Sequence, residues 1–124
     1  MVNKIIYPQE IELWQIIPAI RREMAIEMKK RKIEQKKIAS FLGITEPAVS
    51  QYFSHKRAVE INFDAGVKKE IRASVNRIIE NRKKTMAEIY RIVRLSTIRE
   101  IICSLHRKSK GIAKNCDICL GNVK

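Results

Sequence analysis

Acidic residues are scarce in this 124-residue chain: 13 Asp and Glu face 26 Lys and Arg, a formal net charge of +13. A small domain with that excess repels itself unless a polyanion offsets it. Nucleic acid is the first candidate and an anionic membrane surface the second. Solvated helix faces account for only part of the imbalance. Glycine and proline are sparse too, at four and three, which excludes a linker-like composition and fits a folded chain. Aromatic residues make up 6%, so a core has to come from periodic aliphatic residues, chiefly isoleucine. No run approaches the ~20 apolar residues that span a bilayer. The N-terminus meets charge at Lys4, too early for the apolar stretch of a signal peptide. These absences predict a cytoplasmic protein with no membrane partner.

What is present reads as all-α, one compact domain or two small lobes sharing a core. Pro8 opens a helix over 8–16, with Ile11, Trp14 and Ile17 or Leu13 on its inner side. Pro18 suits the first turn of a second helix, whose Ile20, Met24 and Met28 recur at i, i+4 and i+8 until about Lys32. Asp64 is placed to cap a helix that buries Ile71, Val75, Ile78 and Ile79 and ends near Asn81. Thr85 and Glu88 have the spacing of a capping box, followed by an inward face of Met86, Ile89, Tyr90 and Val93. Ser96 restarts the helix, which buries Ile98, Ile101, Ile102 and Leu105. No segment reads as a strand, and no internal repeat is visible.

The segment 35–53 carries the most specific signal. Ala39 is small enough for two helices to cross closely, and Gly43 reaches the positive φ of a sharp turn without strain. Thr45 can cap the second helix, and Pro47 falls in its first turn, where proline is tolerated. Ile38, Leu42, Ile44 and Val49 are the inward residues. Ala48, Ser50, Gln51 and Glu46 are expected outside, as a helix reading the major groove requires. Gln51 can pair with adenine through two hydrogen bonds, while Thr45 or Ser50 can reach a base edge or phosphate. Glu46 either accepts from cytosine or serves as a favourable first-turn charge. Gln35 and Lys36 begin the first helix beside the backbone, and Lys56 and Arg57 follow the second as phosphate contacts that set register. Tyr52 completes the DNA-binding set.

Pro18, Ala19, Ile20 and Arg21, then Ile38 and Ala39, Leu42 to Thr45, Ala48 to Tyr52, and Lys56 with Arg57 together resemble a family. It is that of predicted archaeal transcriptional regulators with a phage-repressor/Cro-type (XRE-type) helix-turn-helix. The likeness is close from Pro8 to Arg57 and looser beyond. It implies a repressor-like domain of four or five helices that places the second helix of the motif in the major groove and works as a homodimer. Members often carry glycine after the Lys-Arg pair, where this chain has Ala58, so the following loop is expected to differ.

All three cysteines lie towards the C-terminus. Cys103 and His106 share a helix face, and Cys116 and Cys119 form a small knuckle on the tail. The two pairs can complete a tetrahedral Cys3His site for structural zinc. An iron–sulfur cluster is the alternative, since thiolates dominate both kinds of site. The plain alternative is free thiols or a disulfide at the tail, with Cys103 simply buried. A zinc deaminase would need a glutamate beside the histidine and a proline before the knuckle, where Arg107 and Asn115 stand, so no enzyme is predicted. Trp14 is expected in the core and His55 in a loop.

The sequence therefore predicts residues 1–60 as an N-terminal arm with a DNA-binding helix-turn-helix, 61–108 as helices that also pair two copies, and 109–124 as a tail completing a metal site. The function expected is sequence-specific regulation of transcription on double-stranded DNA. The alternatives are an adaptor for RNA or the transcription machinery, and an antitoxin-type repressor with a protein partner.

Overall fold

In the computed structural model, residues 6–54 and 61–108 are described, and they are helical with no strand among them. Helix α1 (Pro8–Ile11) runs through a π-helical turn (Glu12–Ile16) directly into α2 (Ile17–Lys30). The π turn has a local cause. A proline at position 18 lacks an N–H and its ring crowds the carbonyl four residues back, and a widened turn just before it relieves that crowding. The N–H of Ile17 accordingly donates to Glu12, five residues back. The widening changes which side chains face inward. Ile11 and Ile16 are buried, whereas Leu13 and Trp14, expected inside, are 60% and 65% exposed. Beyond Pro18 the regular period returns, and Ile20, Met24 and Met28 are buried as expected.

Two helices end in the same hydrogen-bonded turn. At the end of α2, Ile33 N–H donates to Met28 O (3.1 Å) and Lys32 N–H to Lys29 O (2.9 Å). Lys32 sits in the left-handed region at φ 63. At the end of α3 (Gln35–Leu42), Ile44 N–H donates to Ala39 O (3.0 Å) and Gly43 N–H to Ser40 O (3.3 Å), with Gly43 at φ 67. Both are Schellman closures, which usually take glycine at the left-handed position. The first uses lysine. Helix α4 (Glu46–Phe53) follows with Thr45 as its cap and Pro47 in its first turn.

Helix α5 (Ala65–Glu80) begins where expected, with the Asp64 carboxylate accepting from Val67 N–H at 2.8 Å. A 3-10 turn (Arg82–Lys84) leads into α6 (Thr85–Val93), and α7 (Ser96–Arg107) closes the described chain. The capping box expected at Thr85 and Glu88 does not form, because both side chains are used elsewhere. Thr85 Oγ1 lies 2.6 Å from Phe41 O and 2.8 Å from Arg82 O, within reach to donate to either. Glu88 turns inward, where its Oε1 accepts from Ser74 (2.7 Å), Arg91 (3.3 Å) and Arg77 (3.4 Å). Arg91 in turn reaches Ser74 and Glu70. With Glu88 drawn in, the inner face of α6 is Glu88, Ile92 and Val93, while Met86 and Tyr90 are 83% and 63% exposed.

One apolar core joins these elements, from Ile11 and Met24 through Ile38 and Val49 to Ile71, Ile92 and Ile102. α2 is its central member, packing against α3, α4, α5 and α6. Burying a side chain such as Ile20 or Ile78 in such a core contributes about 1.5–3 kcal/mol.

Candidate nucleic-acid interface

The pair α3 and α4 meets at small, buried Ala39, with Ile38, Leu42 and Val49 inside and Ile44 half-buried. The polar groups around it fix its angle. Thr45 Oγ1 accepts from Ala48 N–H at 3.2 Å, satisfying one donor of the first turn of α4. Gln35 Nε2 donates to the Glu46 carbonyl at 3.2 Å, holding the start of α3 against the start of α4. Lys29, at the end of α2, lies 4.5 Å over the Phe53 ring and steadies the far end of α4.

The outer face of α4 is a stripe of Glu46, Pro47, Ser50 and Ser54, all exposed, with Gln51 half-buried beside it. No described element covers that stripe. The inner face is Ala48, Val49 and Tyr52, all buried. Ala48, expected outside, is therefore turned inward. Tyr52, included in the predicted contact set, is only 2% exposed. The reason is geometric: α4 packs on α2 as well as on α3, so a second face of the helix is consumed and the outer stripe narrows. Thr45 and Gln35 remain exposed. Sequence reasoning missed the role of Gln35 in tying two helix starts, which needs their spatial proximity and leaves no local mark.

Lys36 and Lys37 occupy the first turn of α3, are exposed, and have no acidic residue among them in that turn. A helix N-terminus carries about half a positive charge, so two lysines there are locally unfavourable, and the acid beside them is the N-cap residue Glu34. Lys56 and Arg57 lie outside the described residues.

The predicted metal ligands divide likewise. Cys103 and His106 are both buried on α7, and His106 Nε2 bonds to the backbone carbonyl of Ile6. A carbonyl can only accept, so the ring proton is on Nε2 and Nδ1 is the atom left for other partners. Cys116 and Cys119 lie outside the described residues. Among the described residues no three His, Cys, Asp or Glu gather closely enough to hold a metal ion. No described helix is long and apolar enough to cross a membrane. Comparison with family models, with curated proteins and with solved structures finds no match.

Proposed function

We propose that the chain is a sequence-specific DNA-binding regulator of transcription, with α3 and α4 as a repressor-type helix-turn-helix and α4 as the reading helix. The observation that carries this reading is the uncovered polar stripe of α4, set beside the lysine-bearing first turn of α3 on a chain of net charge +13. The stripe is polar and short, and narrow enough to enter a major groove. Lys36 and Lys37 supply phosphate contacts that orient the protein without reading sequence. Gln51, Ser50, Glu46 and Thr45 supply the base-facing groups. The earlier likeness to archaeal regulators points the same way.

Selection from a randomised duplex pool, followed by salt-titrated binding, tests it. A selected duplex should bind orders of magnitude more tightly than random DNA. Lys36→Ala with Lys37→Ala should weaken all duplexes alike and lower the salt slope by about 2. Gln51→Ala should instead relax preference at one base pair by about 1–3 kcal/mol. Equal affinity for selected and random DNA would replace this reading with that of an adaptor for RNA or protein.

Pairing of two copies belongs to the same proposal, but its place shifts. The apolar residues of α5 and α7, expected to meet a second copy, are largely spent on the chain's own core. Leu13 and Trp14, adjacent and exposed on the π turn, offer the alternative contact. A metal remains part of the proposal through Cys103 and His106. The Nε2–H of His106 on a backbone carbonyl is the arrangement that usually orients a metal-ligating imidazole. Zinc there would tie the tail to α7, and an iron–sulfur cluster would make the tail a sensor. Metal content and the absorption spectrum of anaerobically purified protein separate the two.

A further inference from the structure

A groove of about 640 Å³ opens between the start of α2, the end of α3 with its Gly43 turn, the 3-10 turn and α6. That volume falls within the roughly 300–1,000 Å³ of small-molecule sites. Its lining is mainly apolar and includes Ile17, Phe41, Leu42, Ile89, Val93 and the exposed Met86. Charge around it is one-sided. Arg21, Arg82, Lys83, Arg94 and Arg99 line it with a single acid, Glu12, which is already paired with Arg99.

Two further features make this more than a bare apolar patch. Some basic groups are held in place: Arg82 Nη1 donates to Ser40 Oγ at 2.8 Å, and Arg94 lies 5.5 Å from the Tyr90 ring centre. Arg21, at the start of α2, is half-buried where it lines the groove, so its charge is less screened by solvent than that of an exposed arginine.

We propose that this groove binds a small organic carboxylate with an apolar acyl or aryl body. The apolar body takes the lining, and the carboxylate takes the arginine side. Charge argues against the other occupants. A second copy would bring the same basic rim towards its own image. The chain's own segment 109–124 carries Lys110, Lys114 and Lys124 against Asp117. The site uses none of the residues assigned above to DNA, so it stands or falls independently of that reading.

The test is equilibrium binding to the full chain without DNA, with the fluorescent anion 1-anilinonaphthalene-8-sulfonate as probe and decanoate as competitor. N-Phenyl-1-naphthylamine serves as the uncharged probe and acetate as the anion without an apolar body. One probe should bind per chain, decanoate should displace it, and acetate should not. The uncharged probe should bind far more weakly. Lys83→Glu and Met86→Glu, both at exposed positions, should each weaken the anionic probe and decanoate by about tenfold with thermal unfolding unchanged. Equal binding of charged and uncharged probes, several unsaturable sites, or indifference to both substitutions would overturn the proposal. So would a chain that sediments as a dimer and excludes the probe until Met86→Glu separates it, because a second copy would then be the occupant.

Discussion

At the scale of single residues, the two left-handed positions make opposite predictions. A Cβ built on Gly43 meets nothing within 4 Å, so Gly43→Ala is resisted by backbone conformation alone. It should cost about 1 kcal/mol in urea unfolding, the left-handed penalty less the entropy that alanine removes from the unfolded chain. Lys32 already bears that penalty at φ 63, and Lys32→Gly should raise stability by about 0.5–1 kcal/mol. A loss on Lys32→Gly would mean that the lysine side chain makes a compensating contact. Thr45→Ala, which removes the cap on Ala48 N–H, should cost about 1 kcal/mol. These positions also show what was legible in the sequence. Gly43, Thr45 and Asp64 act on neighbours three or four residues away, so residue type at the right spacing revealed them. Lys32 was silent, because nothing about a lysine announces a left-handed turn.

At the scale of elements, periodicity succeeded where a helix is regular and failed where a distant partner or a changed winding intervened. The stripe Ile20, Met24 and Met28 was readable from spacing. Leu13 and Trp14 were misplaced because the π turn before Pro18 shifts the face by part of a turn. Met86 and Tyr90 were misplaced because α6 is oriented by a charged residue. Glu88, 8% exposed, is held by Ser74 and two arginines from different helices. Removing one member of such a cluster strands the others. Arg77 and Arg91 have side chains 40% and 36% exposed, so water recovers part of the loss. Glu88→Ala should therefore cost about 2 kcal/mol in chemical denaturation, and Glu88→Gln about half as much. If Glu88→Ala unfolds at the same denaturant concentration as the parent, the cluster does not hold α5 to α6.

At the scale of the whole molecule, charge and core act in opposition. The core draws all the long helices together, while +13 works against compaction. A duplex that binds only the folded chain should raise its unfolding free energy by about 2.7 kcal/mol when present at 100 times its Kd. The rise in melting temperature should shrink as salt is added. Trp14 is the single tryptophan, and it is exposed, so its emission reports on any contact made at the π turn. Concentrating the protein should shift that emission to shorter wavelength if the π turns of two copies meet. An unchanged spectrum across the range in which sedimentation shows a dimer would move the contact elsewhere.

The bond between Thr85 and the Phe41 carbonyl, with that between Arg82 and Ser40, bears on how portable the α3–α4 pair is. One of the terminal carbonyls of α3 is satisfied by a hydroxyl more than forty positions downstream. A graft of residues 35–53 into a foreign scaffold would leave that oxygen bare and the hinge between its two helices unbraced. The pair is a borrowed limb rather than a cassette, and a chimera that keeps the angle between α3 and α4 will have to carry residues 82–85 along with it.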